Sequence, residues 1–320
     1  ADKAPLRGPG GGAKGFGGVR EGFGVTKNRT PRVRIPGFFP IFVENRNVMF
    51  SAKTYTARRR ELRTKIGQGI ILLPGNGLAP NNYPNNAYYF RQDSSFLYYF
   101  GLNVPALVGV IDADTGEEAL YGDDFTVEDI IWTGPQPTLR EMGAEAGVAA
   151  TFPMAALEAR LRKAIALGRR IHYLPPYRGE TKLQLSALLG IKPALLHDYK
   201  SVELMFAVAE MREKKSAEEI EEMERAFEIG YRMHTLAMQM CRPGVVEREI
   251  AGAIEGVAKS YGSGLSFPSI VSQHGETLHN LHCDGVLEEG RLLLCDAGAE
   301  TVNNYCSDHT RTYPVSGRFT

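Results

Sequence analysis

Asp296 and Asp308 are the residues of this chain best placed to do chemistry. They lie in Leu292-Leu293-Leu294-Cys295-Asp296-Ala297-Gly298-Ala299-Glu300 and in Tyr305-Cys306-Ser307-Asp308-His309-Thr310-Arg311-Thr312. The first segment opens as an apolar run of strand length, and the second continues to Val315 rich in Thr, Tyr and Val. Thr301-Val302-Asn303-Asn304 between them has turn composition, so the pattern predicts a β-hairpin. In an antiparallel hairpin centred near Val302, residue i faces residue 604 − i, which sets Asp296 opposite Asp308 on one sheet face. Directly opposed Cβ atoms sit about 4.5 to 5.5 Å apart. Two carboxylates that close repel unless a proton or a cation sits between them, and an oxygen-rich pair suits a hard divalent ion such as Mn or Mg. Spacing alone leaves a second arrangement open, in which a bulge slips the register and one aspartate is an exposed turn residue.

The histidines are less telling. His274, His279 and His282 form H-x4-H-x2-H, but neither interval is the helical i, i+4 pair with an acidic partner that zinc peptidases use. Gly275 and Asn280 place all three in a loop. His234 falls on the apolar face of a helix, where a packed histidine is expected rather than a ligand. Gly10-Gly11-Gly12-Ala13-Lys14-Gly15 satisfies G-x-G-x-x-G, yet no strand precedes it and no helix follows, so no dinucleotide site is expected.

The elements that must position the aspartates begin at a capping box, Ser216-Ala217-Glu218-Glu219. Ile220, Met223, Phe227, Tyr231, His234 and Met238 then recur at helical spacing until Arg242-Pro243-Gly244 ends the helix. A second helix is expected over residues 247–261, with Ile250, Ile254 and Val257 on one face. Upstream, strands and helices alternate. Ser51 to Ile66 reads as a basic helix, Gly69 to Pro74, Ala106 to Asp112 and Glu118 to Gly122 as strands, Ala155 to Ala166 as helix and Arg170 to Leu174 as strand. The division expected is 1–48, a disordered Gly- and Arg-rich tail; 49–211, an α/β domain; and 212–320, a second domain.

Of 320 residues, 43% are apolar and 23% charged, an ordinary globular composition with room for two domains. No apolar run is long enough to span a membrane. Net charge is zero, although residues 1–48 hold nine Lys or Arg against three acids. That basic tail reads as solvated rather than as a nucleic-acid arm, with upstream or non-native sequence as a further reading. Cys241, Cys283, Cys295 and Cys306 fit neither paired C-x-x-C spacing nor a disulfide-dense scaffold. Reduced thiols in a cytoplasm are expected, and no secretory signal precedes them.

The words around the aspartates resemble the first metal-ligand hairpin of the aminopeptidase P (Xaa-Pro aminopeptidase) family of pita-bread metallopeptidases. Ser266-Phe267-Pro268-Ser269-Ile270-Val271 and Thr277-Leu278-His279-Asn280 resemble the family segment whose histidine lines the active site, and His279 precedes Asp296 by 17 residues, as in the family. Phe90-Arg91-Gln92-Asp93-Ser94-Ser95-Phe96-Leu97-Tyr98-Tyr99-Phe100-Gly101 resembles the signature of the family's N-terminal domain. The resemblance implies an α/β N-terminal domain of creatinase/aminopeptidase P type, followed by the first half of an α+β pita-bread catalytic domain. It implies a hydrolase that removes the first residue from peptides with proline second, working as a homodimer or homotetramer without membrane or nucleic-acid partners. Asp296 would hold one of two divalent ions, manganese foremost with zinc or cobalt as substitutes, and Asp308 would bridge both; the hydroxide they share attacks the bond before proline. His279 would hydrogen-bond substrate or intermediate. The family completes its site with a histidine and two glutamates that have no counterpart before Thr320. The chain is therefore expected to be a fragment, inactive alone and poorly folded after Ser216. An Xaa-Pro dipeptidase and a metal-free binding protein on the same shell are the alternatives.

Overall fold

The computed structural model describes residues 50–280 and 282–319, all within one compact unit. The expectation for the basic tail falls outside the described residues.

Two short sequences, Ile70-Ile71-Leu72-Leu73 and Val108-Gly109-Val110-Ile111, are apolar at every position, which suits a sheet covered on both faces. They become β1 (Ile70–Pro74) and β4 (Val108–Asp112) of a mixed five-stranded sheet. Before β1 comes α1 (Ala52–Ile66), and between β1 and β4 come β2 (Pro80–Tyr83), β3 (Asn86–Ala87) and α2 (Ser94–Phe100). After β4 come β5 (Glu118–Tyr121), α3 (Val127–Thr133), α4 (Leu139–Ala146), β6 (Ala150–Phe152), α5 (Ala155–Ala166), β7 (Ile171–His172), α6 (Gly179–Leu189) and α7 (Val202–Glu213). The sheet order is β6-β5-β4-β1-β7. Alternation divides β1 between two cores: Ile71 and Leu73 pack with Leu62, Phe96, Tyr99 and Leu204, while Ile70 and Leu72 pack with Leu157, Leu161 and Leu185.

The basic character of α1 has a structural use. Arg59 is fully buried and donates to the carbonyls of Tyr99, Ala146 and Gly147 at 2.8, 3.0 and 3.1 Å and to Glu118 at 2.7 Å. A buried guanidinium needs every donor engaged, and here its fork ties α1 to α2, α4 and β5.

His172 is also buried, with Nδ1 2.7 Å from Ser201 Oγ and Nε2 3.1 Å from the Gln68 carbonyl. Burial, reinforced by the Arg170 charge, holds its pKa below the ordinary histidine value. The folded state thus favours neutral imidazole while the unfolded chain binds the proton. Stability from this group is fully present above the unfolded pKa and is lost as pH falls from about 6.5 towards the folded value. Denaturant midpoints measured from pH 7.5 to 5 should decline across that window, and His172→Gln should flatten part of the decline.

The second half opens with α8 (Ala217–Met240), whose capping box is formed by Ser216 and Glu219, and α9 (Glu247–Tyr261). Then follow β8 (Gly264–Leu265), β9 (Ile270–Ser272), β10 (Leu292–Ala297), β11 (Ala299–Glu300) and β12 (His309–Pro314). A β12-β10-β9 sheet packs one face on both helices: Leu293, Cys295, Ala297 and Tyr313 meet Ile229, Met233, Ile250 and Ile254. The buried stripe of α8 corrects the expected one. Ile220, Tyr231 and Met238 are exposed, whereas Glu219, Glu222, Ala226, Ile229, Gly230, Met233, His234 and Ala237 are buried. The small residues let the helix approach the hairpin, where a Cβ on Gly230 would lie 2.7 Å from His309 Nδ1. The two glutamates are buried because distant partners hold them: Glu219 takes the Tyr305 hydroxyl at 2.8 Å and Arg58 at 3.3 Å, and Glu222 takes the Thr301 hydroxyl at 3.1 Å.

Candidate metal centre

The hairpin forms, with its centre one residue beyond the expected one. β10 and β12 pair from Leu292 with Pro314 to Ala297 with His309, so residue i faces 606 − i. The same register continues through the Ser307 N–H to Ala299 carbonyl bond, the Glu300–Cys306 bridge and the Thr301 N–H to Tyr305 carbonyl bond. The tip is therefore Asn303. Asn304 at φ +61° and Thr301 Oγ1, which accepts from the Asn303 and Tyr305 N–H groups, build a three-residue loop in place of the assumed turn. Moving the centre by one residue changes each pairing by two, which preserves the face. Asp296 faces Thr310, and the pairings on either side, Ala297 with His309 and Ser307 N–H on the Ala299 carbonyl, bracket Gly298 and Asp308. The carboxylates are therefore not directly opposed: Asp308 lies two residues before the Thr310 that faces Asp296, and a regular ladder would set them diagonally on one face, about 7 to 8 Å apart at Cα.

That face is the one turned away from α8 and α9. Leu293, Cys295 and Ala297 are buried beneath it, while Asp308, Thr310 and Thr312 are exposed and Asp296 is half-buried. The two strands come very close at the pair: a Cβ on Gly298 would lie 1.9 Å from the Ser307 carbonyl oxygen and 2.5 Å from Ser266 Oγ. Glycine at 298 is a requirement of the gap.

Asp296 Oδ1 is buried with no hydrogen-bond partner. A carboxylate oxygen in that state carries an uncompensated desolvation cost, which a bound cation removes. The donor set is oxygen only. Burial, reinforced by Asp296, pushes the Cys295 thiol up to about 12, and burial, reinforced by Glu300, pushes Cys306 up to about 11, so neither offers a thiolate near neutrality. The residues present thus fit a hard divalent ion, although among the described residues no group of three or more His, Cys, Asp or Glu is arranged to hold one.

His279 lies exposed in the β9–β10 loop with His274 and His282. Among the described residues no hydrogen bond or ion pair joins it to either aspartate; its neighbour Asn280 donates to Ser272 Oγ at 3.2 Å. His234 is buried on α8, its Nε2 3.3 Å from the Ala297 carbonyl and its Nδ1 on the Tyr313 hydroxyl, so it braces the far side of the sheet. Sequence reasoning missed Arg91, whose Nε lies 2.6 Å from Glu300 Oε1 and which ties the N-terminal signature to the aspartate hairpin. Its place in Phe90-Arg91-Gln92-Asp93 was the available signal.

The chain thus combines a mixed sheet covered on both faces with an antiparallel carboxylate hairpin backed by two helices. Residues 55–172 match the N-terminal domain of aminopeptidase P, and residues 221–320 match metallopeptidase family M24. The Escherichia coli Xaa-Pro aminopeptidase is 30% identical over 293 residues, covering 84% of this chain and 64% of that protein. Human Xaa-Pro aminopeptidase 3 is 26% identical, covering 83% and 56%. Among solved structures, proline aminopeptidase P II from Yersinia pestis superposes with a TM-score of 0.72 at 27% identity over 85% of this chain and 64% of its own, and the zinc-substituted E. coli enzyme with product at 0.73 over the same shares. The chain belongs to the aminopeptidase P family, whose M24 domain uses divalent metal ions, and it spans about 64% of the length of the E. coli relative.

Proposed function

We propose that these residues are the N-terminal domain and part of the catalytic domain of an enzyme that removes the first residue from peptides with proline second. The observation that carries this is the pair Asp296 and Asp308 on one hairpin face, with a buried Asp296 oxygen left without a partner. Asp296 and Asp308 would hold a pair of divalent ions, manganese being the working metal. When bound, such ions acidify water at neutral pH and polarise the scissile carbonyl. His279, exposed on its loop, donates a hydrogen bond to the substrate or to the developing oxyanion. Thr310 and Thr312 extend the same face and leave it open to a peptide. Proline second makes the scissile bond a tertiary amide, which lacks the N–H that ordinary peptidases recognise, and a dedicated site is the consequence. The four free cysteines suit a reducing compartment such as the cytoplasm, and no described helix is long and apolar enough to cross a membrane.

The 320-residue chain alone, with two clustered ligands, does not turn over. The test compares Mn-dependent release of the first residue from Xaa-Pro dipeptides and longer Xaa-Pro peptides by the whole protein and by this chain. The whole protein should act on the longer peptides and the chain on neither. Release by the chain would overturn its inactivity, equal rates on peptides without proline would overturn the substrate class, and action on dipeptides alone would make it a dipeptidase.

A further inference from the structure

The loop that carries His279 is anchored by a buried carboxylate to which the chemistry above gives no role. Glu247, in the first turn of α9, is 2% exposed. Its Oε1 accepts from the Gln273 N–H at 2.8 Å and its Oε2 from the Gly285 N–H at 3.1 Å. Those two amides are the entrance and the exit of the segment 274–284. The Glu247 N–H donates back to the Gly285 carbonyl at 2.9 Å, so the exit is gripped from both sides. Gln273 completes the closure, its Nε2 donating to the Val286 carbonyl at 2.8 Å and its Oε1 accepting from the Glu288 N–H at 3.1 Å. Gly285 is part of the fit, because a Cβ there would lie 2.7 Å from Glu247 Oε1.

Among the described residues, the other bonds of the segment are few and mostly local. His274 N–H and Asn280 bond Ser272 Oγ at 3.0 and 3.2 Å, the Cys283 thiol meets the Val271 backbone, the exposed pair Arg248–Asp284 adds 3.3 Å, and His274 Nδ1 to Glu276 at 3.0 Å, His282 N–H to Asn280 and Thr277 N–H to the His274 carbonyl lie within the segment. Among the described residues no cation pairs with Glu247, so its charge is balanced by the two amides and by the positive end of α9.

We propose that Glu247 is a positioning residue, a carboxylate clasp that fixes both ends of the 274–284 loop and so sets where His279 stands. Its functional consequence rests on the reading of His279 given above; the clasp itself does not. A flexible histidine loop would lose most of the orientation a hydrogen-bond donor must have before reaction, and a clasp at its base supplies that order without touching substrate.

The test is amide hydrogen exchange on the full 320-residue chain together with the ring resonances of its histidines. Glu247→Gln presents an NH2 to one of the two N–H groups and must release it. Exchange at Gln273, Gly285 and residues 276–280 should accelerate about 10- to 100-fold, and the His279 ring resonance should move, as expected for loss of a charge-assisted bond. The β10 amides and the His234 ring should stay unchanged. A uniform acceleration, or none, overturns the proposal. Gly285→Ala attacks the same clasp with the carboxylate intact and should reproduce the pattern, which keeps the test decisive if Glu247→Gln fails to fold. His279→Ala should leave loop exchange as it is; if it also leaves turnover of the whole protein intact, the role of His279 falls while the clasp stands.

Discussion

Asp296→Asn should make the metal-free chain slightly more stable and abolish its response to divalent ions. The first effect follows from burial. Asp296 Oδ1 has no partner, and a second carboxylate lies two positions away on the facing strand, so removing the charge relieves desolvation and like-charge repulsion. A gain of up to about 1 kcal/mol is expected. The second effect has the opposite sign. An ion that binds only the folded chain stabilises it by about 2.7 kcal/mol at one hundred times its Kd, and that increment should vanish with the ligand. Asp308→Asn separates the two effects, because Asp308 is exposed and bears no desolvation cost: metal-free stability should rise only by the relief of repulsion, less than for Asp296→Asn, while the ion response is lost. In the whole protein either substitution should reduce turnover at least about 1,000-fold, roughly 4 kcal/mol of transition-state stabilisation. Thermal unfolding with and without Mn, then peptide release, read both. A variant that loses stability without metal and still responds to it would remove Asp296 from the site.

What the sequence made legible was whatever rests on local pattern. The doubly buried strands β1 and β4 announced themselves as unbroken apolar runs, and the hairpin as two strand-like segments around a turn. The error in the hairpin centre displaced the pairing by two, and because a strand has period two it leaves the expected alternation of faces along β10 and β12 unchanged. The stripe on α8 was misread for the opposite reason. Its buried positions include Glu219 and Glu222, and nothing local says that Tyr305, Arg58 and Thr301 will be waiting for them. Apolar spacing chose Ile220, Tyr231 and Met238 because they are apolar, not because they are covered. Glu247 escaped notice likewise: a glutamate in a first helical turn ordinarily means a favourable dipole, and its two amide partners lie 26 and 38 residues away. Contacts of that range are set by tertiary packing, which local periodicity does not encode.

Gly298→Ala should be the most damaging single methyl group in the catalytic half. Gly298 stands two residues after Asp296, pressed against the Ser307 carbonyl of the strand segment that carries Asp308. A Cβ would lie 1.9 Å from that oxygen and 2.5 Å from Ser266 Oγ, and the first obstacle is backbone, which no rotamer change removes. The strand carrying Asp308 must move away by more than an ångström. In doing so it breaks the Ser307 N–H to Ala299 carbonyl bond at 2.9 Å, the Ala299 N–H to Ser307 Oγ bond at 3.1 Å and the Ser266 hydroxyl to Ser307 carbonyl bond at 2.7 Å. At about 1 kcal/mol for each bond, a loss of roughly 3 kcal/mol is expected before strain is counted. On the proposed reading the displaced carboxylate would no longer share an ion with Asp296, and Mn affinity should fall at least about 100-fold. Gly252→Ala is the matched control. Gly252 lies within α9 with nothing near its Cβ position, and alanine there should stabilise the helix by up to about 1 kcal/mol and leave Mn binding alone. Calorimetric titration of Mn into the two variants, beside their denaturant midpoints, would show the contrast. Equal affinity in both would mean that the hairpin gap at Gly298 does not set the spacing of the two aspartates.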